Sequence, residues 1–278
     1  MRSYDRKLDQ RLFSDIDLRY VRGFDMFLQK RGCCGNTRKF YFKALRAILN
    51  RANAEGVGSA ATYPFGRGGF EVSKLEEATA KRYLPAAELS KLKSTTASNP
   101  QCEYARKLFL FSYYCYGISF IDMAMLTAAH IKQMEDGDYI VYKRQKIKRQ
   151  KGVKPISIKI TPAIRQLIGS LQAASPTVDD LLLPIVTRSG YTGERLYMHI
   201  RTRYSKYQKY LRLLAEELGI DFHLTSYVSR HTAAMTLQRN NIPREVISQM
   251  LGHADLETTN IYLDSFDNGV INEAAKVL

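Results

Sequence analysis

The chain has 278 residues, 45% of them hydrophobic and 25% charged, with a mean hydropathy of −0.30. That balance excludes a disordered, collagen-like or membrane-embedded polypeptide, and the length suits one large domain or two ordinary ones. Forty-two Lys and Arg against 27 Asp and Glu leave a net charge of +15 and a pI near 9.6, which points to a polyanionic partner, nucleic acid foremost.

The most apolar stretch, Leu108 to Ile121, is interrupted by Ser112, Gly117 and Ser119 and falls short of the ~20 residues that span a bilayer. No membrane partner is therefore expected. The polar N-terminus has no apolar core behind it, so no secretory signal is expected. Four cysteines, with Cys33 and Cys34 adjacent, make neither a disulfide framework nor a zinc spacing. A reducing cytoplasm is the natural compartment.

In chain order, Ser14 offers a cap for a helix in which Leu18, Val21, Phe24 and Leu28 recur at helical spacing, and Gly32 and Gly35 break it. Asn36 and Thr37 offer the next cap, with Phe42, Leu45 and Ile48 or Leu49 on one face and Gly56 as the stop. Arg38, Lys39, Lys43, Arg46 and Arg51 decorate the other faces. Residues 1–58 thus read as a basic helical domain, with Lys39 and Lys43 as candidate DNA contacts. Glycines and Pro64 leave 59–82 without a periodic apolar face, so it reads as a linker to a second domain over 83–278.

In that domain Pro85 starts a helix running to about Ser94, and Tyr104 to Tyr116 forms a buried helix stopped by Gly117. Asp122 to Leu126 is a short helix. After the Asp136-Gly137 turn, residues 139–142 and 153–160 read as two strands joined across Gly152. Thr161-Pro162 begins another helix, and further helices are expected at about 199–218, 226–239, 243–251 and 256–263. The class is mainly α with a small antiparallel β-sheet.

Four places carry chemistry. Residues 142–151 hold Lys143, Arg144, Lys146, Lys148, Arg149 and Lys151. As a hairpin they put Arg144, Lys146, Lys148 and Gln150 on one face, able to lie against a phosphate backbone. Most such runs are solvated turns. In Leu224-Thr-Ser-Tyr-Val-Ser-Arg-His-Thr232, Thr225 or Ser226 can cap a helix that sets Tyr227 and Arg230 three apart on one face. An Arg beside a helix N-terminus is not favoured by the dipole and suggests an anion to bind. Met250-Leu-Gly-His253 closes a helix at Gly252, and Thr258-Thr-Asn-Ile-Tyr-Leu-Asp264 follows. Taken singly, His253 reads as a cap residue and Tyr262 as a half-buried aromatic.

The ordered set Lys146, Arg230, His253 and Tyr262 resembles the tyrosine recombinase (phage-type integrase) family, in particular integrases of Bacteroides-like bacteria. The likeness runs from about residue 85 to 270, and the helical N-terminal part resembles the family's core-binding domain. It implies a two-domain DNA clamp, a helical core-binding domain plus a mixed α/β catalytic domain. The implied chemistry cuts DNA through a 3′-phosphotyrosine link without metal, cofactor or small-molecule substrate. Double-stranded DNA is the implied partner, bound by a homotetramer. That no arm-binding domain precedes residue 1 suggests a simpler recombinase or invertase, or equally a piece of a longer chain.

Residue by residue, the resemblance makes Tyr262 the nucleophile. Arg230 and His253 hold the non-bridging oxygens, and Lys146 protonates the leaving 5′-oxygen. Tyr227 stands where the family has its first histidine. Lys143, Arg144, Lys148 and Arg149 are expected on the DNA. Tyr116 is read as standing in place of the family's first catalytic arginine, a role that Arg144 or Lys143 can assume. Two other readings remain open. One is a catalytically impaired DNA-binding regulator on the same fold, favoured by Tyr116. The other is a type IB topoisomerase.

Overall fold

The structure is a computed structural model and describes residues 1–77, 83–253 and Thr259. The chain forms two compact units, Met1–Ala80 and Lys81–Leu278. Among the described residues no helix is long and apolar enough to cross a membrane.

In the first unit, helix α1 spans Leu18–Lys30 and α2 spans Gly35–Ala54. The cap of α1 is Asp17, whose carboxylate accepts from the Tyr20 amide, and Ser14 lies in a preceding single turn. Helix α2 starts before Asn36. Gly35, expected to break a helix, is its first residue, because a Cβ there would lie 2.4 Å from the Leu75 carbonyl oxygen. Val21, Phe24 and Leu28 meet Phe42, Leu45 and Leu49 in one core. The segment read as a linker contributes to that core: Phe65 and Val72 are buried in it, and the Phe70 ring sits 4.4 Å from that of Phe42. Aromatic side chains spaced irregularly between glycines supply this packing, so no periodic signal announced it.

The second unit is mainly helical around a small sheet. Helices α3 (Ala86–Ser94), α4 (Pro100–Tyr114) and α5 (Phe120–Ala124) come first. Strands β1 (Ile131–Met134), β2 (Gly137–Tyr142) and β3 (Ile156–Lys159) follow, and then α6 (Pro162–Ala174), α7 (Gly193–Glu217), α8 (Ser226–Arg239) and α9 (Arg244–Leu251). Asn99 caps α4 by accepting from the Gln101 and Cys102 amides, with Pro100 in the first turn. Leu108, Phe109 and Phe111 are fully buried, so α4 is the core's central post, packed by α6, α7 and α8.

The sheet is antiparallel in the order β1-β2-β3, with Ile140 opposite Ile158 and Tyr142 opposite Ile156 on the core side. It has three strands rather than two. Strand β1 is half-buried only at Ile131 and exposed beyond it, and so shows no alternating pattern. Helix α7 begins at Gly193, ahead of the expected 199, because its first turn is mostly exposed and has no apolar face to announce it. The expected helix at 256–263 lies outside the described residues apart from Thr259.

Candidate active site

Four stretches of the second unit meet around Arg230. The first is the loop between α4 and α5. Tyr116 and Gly117 both take positive φ, 57° and 73°, which turns the chain so that the Gly117 carbonyl faces α8. A Cβ on Gly117 would lie 2.4 Å from Arg230 Cα and 2.6 Å from its Cγ, so only glycine allows this approach. Buried Ser112 ties the loop down by donating to the Ile118 carbonyl at 2.8 Å, and its Oγ lies 2.7 Å from that of Ser229 on α8.

Helix α8 itself has no side-chain cap from Thr225. Its Ser226 amide donates instead to Gln208 Oε1 on α7 at 2.9 Å, and Tyr204 shares a 3.0 Å hydrogen bond with the Ser226 hydroxyl. Arg230, one turn in, is only 3% exposed. Its Nη1 donates to the Gly117 carbonyl at 3.0 Å, and its Nη2 to the Leu251 carbonyl and to His253 Nε2 at 2.9 Å. Burial first, and then the like charge of Arg144, push the guanidinium down to about 10. It remains a cation at neutral pH.

His253 follows the left-handed Gly252 that ends α9, with its own amide bonded to the Ser248 carbonyl. Its Nδ1 lies 2.8 Å from Thr259 Oγ1.

The basic run is not a continuous hairpin. Beyond β2 the chain leaves strand geometry, and residues 145–152 form successive turns, with Ile147 bonded back to Arg144 and Gln150 to Ile147. Side chains on such a loop do not alternate, so the expected shared face of Arg144, Lys146, Lys148 and Gln150 is not formed. Arg144 alone of these turns inward, donating to the Gly252 carbonyl at 3.2 Å. Lys143, Lys146, Lys148 and Arg149 are exposed on the loop.

The loop's start is fixed by Asp122, a buried carboxylate that sequence reasoning assigned no role. Its Oδ1 accepts from the Gln145 amide at 2.7 Å and its Oδ2 from the Ser119 hydroxyl at 2.6 Å. An acid followed by an apolar run, three residues after a Ser, was the available signal.

A cleft of about 670 Å³ opens over this cluster, lined by Ser119, Phe120, Arg144, Tyr204, Tyr227 and Arg230 among others. Tyr227 is 52% exposed there. Burial raises its phenol above the ordinary value, while Arg230 and Arg144 pull it the other way. The structure thus brings together Arg230, His253, Arg144 and Tyr227 from the expected set.

Tyr116 does not line this cleft. Its half-buried phenol is held above the ordinary range by burial and by neighbouring Cys115 and Tyr139, and the loop residues that line the cleft are Gly117, Ile118 and Ser119. Tyr262 lies outside the described residues. Lys43 is exposed on α2 in the first unit, whereas Lys39 is tied to Glu76 at 2.6 Å.

Comparison with known proteins agrees with this architecture. Residues 82–268 match the phage integrase family and residues 1–72 the phage integrase SAM-like domain. Tyrosine recombinase XerD of Halalkalibacterium halodurans is 43% identical over 54 residues, 19% of this chain and 18% of that protein. Tyrosine recombinase XerC of Rhodospirillum centenum is 31% identical over 114 residues, 41% of this chain and 31% of that protein. The matched segments therefore span less than a third of these relatives' length. The Tn1549 transposon integrase, solved in complex with transposon right end DNA, shares the fold with a TM-score of 0.67 at 12% identity, over 98% of this chain and 90% of that one. The chain belongs to the phage integrase family.

Proposed function

We propose that the protein is a site-specific DNA recombinase that cuts and rejoins duplex DNA through a tyrosine–phosphate link. One observation carries this reading. Arg230 is a buried cation held by two carbonyls and bonded to His253, and it lines an open cleft together with Arg144 and Tyr227. A desolvated guanidinium costs stability unless an anion comes to meet it, and two guanidiniums side by side make a phosphate the natural visitor. Curated relatives that are tyrosine recombinases, and a structural neighbour solved with DNA, support the same reading.

In this reading the Tyr262 oxygen attacks the phosphorus and the bond to the 5′-oxygen breaks. Lys146 gives that oxygen its proton. Arg230, with Arg144 in place of a second clamp, holds the negative charge that develops on the non-bridging oxygens. A phenol of pKa ~10 is a weak nucleophile without such help, and one preorganised donor is worth roughly 3 kcal/mol of barrier. Resealing reverses the same steps, because the phosphotyrosine keeps the energy of the cut bond.

Lys143, Lys148 and Arg149 on the loop, and Lys43 with Lys39 on α2, are the proposed backbone contacts. The proposed working state is a homotetramer on two DNA sites in the cytoplasm. A DNA-binding regulator that does not cut is the second reading, since Ser119 faces the cleft where the loop offers no guanidinium. Incubation with nicked duplexes built from the sequences flanking the gene separates the readings. A covalent protein–DNA band supports the recombinase, and binding without one supports the regulator. Relaxation of any supercoiled plasmid marks a topoisomerase instead.

A further inference from the structure

The hydrogen bonds around His253 fix where its ring proton sits. A guanidinium has only donors. With Arg230 Nη2 at 2.9 Å from His253 Nε2, that nitrogen presents its lone pair. A neutral imidazole in this position therefore carries its proton on Nδ1, and Nδ1 lies 2.8 Å from the hydroxyl of Thr259, which is fully buried. The partner of one ring nitrogen sets the state of the other.

We infer that Thr259 is a positioning residue that accepts the Nδ1 proton of His253 in a hydrogen bond and so holds Nε2 as the acceptor of the Arg230 guanidinium. This deepens the recombinase reading, on which its catalytic consequence rests. A bare Nε2 repels a non-bridging phosphate oxygen. His253 in this tautomer is therefore not the neutral donor to phosphate that the family resemblance implies. Its Nε2 lone pair holds the Arg230 guanidinium instead, so the Thr259 hydroxyl, by fixing the ring, fixes the cation that meets the phosphate.

The test reads the tautomer directly in the full chain labelled with ¹⁵N-histidine, with the His253 signals assigned by comparison with a His253→Asn variant. Long-range proton–nitrogen spectra of the wild type are expected to show Nδ1 protonated and Nε2 bare. A proton on Nε2 in neutral wild-type His253 would overturn the inference whatever any variant does. In Thr259→Val the slowly exchanging Nδ1 proton is expected to disappear and covalent-complex formation on a nicked duplex to slow about tenfold. Thr259→Ser is expected to restore both. Wild-type cleavage rates in Thr259→Val would contradict the positioning role. Absence of any covalent complex from the wild type would sink the recombinase reading while leaving the tautomer result standing.

Discussion

Gly117 and Arg230 are packed backbone against backbone: a methyl group at 117 would overlap Arg230 Cα at 2.4 Å, in a loop whose φ of 73° already disfavours a side chain. Both bodies are immobile, since Arg230 sits within α8 and the loop is bound through Ser112 to Ile118. Gly117→Ala is expected to lose about 3 kcal/mol of stability in urea unfolding. It should also lose cleavage more steeply than DNA binding, because the shift moves the guanidinium.

Arg230 is charged at a cost. Its folded value is lowered from the ordinary guanidinium range to about 10, so the penalty is fully present at neutral pH and fades only as pH rises above about 10. An anion at the cleft relieves that penalty. Sulfate at about ten times its dissociation constant is expected to stabilise by about 1.4 kcal/mol, or about 3–5 °C in melting temperature. Arg230→Met should abolish that shift, and Arg144→Met should weaken it. On cleavage, Arg144→Met is expected to cost about 10²–10³ in rate. An equal sulfate response in wild type and Arg230→Met would place the anion elsewhere.

Asp122 anchors the basic loop through the Gln145 amide. Removing a charge-assisted bond of this kind costs about 1.5–3 kcal/mol. Asp122→Ala should therefore raise hydrogen exchange at the Gln145 amide by about ten- to a hundredfold. Cleavage, which needs Lys146 one residue on, should slow, while affinity for duplex DNA stays near that of the wild type. Unchanged exchange at Gln145 would show that the loop is held by other contacts.

Tyr227 and Tyr116 separate cleanly. The Tyr227 phenol opens on the cleft, and its raised pKa keeps it a donor through neutral and mildly alkaline pH. Tyr227→Phe is expected to slow cleavage by up to about tenfold, the worth of one hydrogen bond, with the same ratio from pH 7 to 9. Tyr116 sits by Cys115 and Tyr139, so Tyr116→Phe should stay within about twofold of wild type. A large effect at Tyr116 would restore it to the site.

Much of this was legible in the chain. Apolar spacing and the cap at Thr161 mark helices because capping and burial follow local residue type. The Tyr227/Arg230 pair and His253 are legible as motifs, since each sits at a helix end that fixes its direction. The misreadings share one cause: contacts made across long sequence separations. Phe65 and Phe70 pack into a core by tertiary contact from an aperiodic segment. The basic run looked like a hairpin, but its path is set by Asp122, far back in the chain. Tyr116 follows an apolar run into a turn, and the loop meets Arg230, far along the chain, through the Gly117 carbonyl, so that Gly117, Ile118 and Ser119 rather than Tyr116 line the cleft.

The most direct test is to trap the covalent adduct on a nicked duplex, digest it, and identify by mass spectrometry the peptide that carries the nucleotide. The adduct is expected on the peptide containing Tyr262, with a 3′-phosphate joined to its oxygen, and it should vanish in Tyr262→Phe. A nucleotide on any other residue, or an adduct that survives the loss of that phenol, would contradict the assignment of the nucleophile and the chemistry built on it.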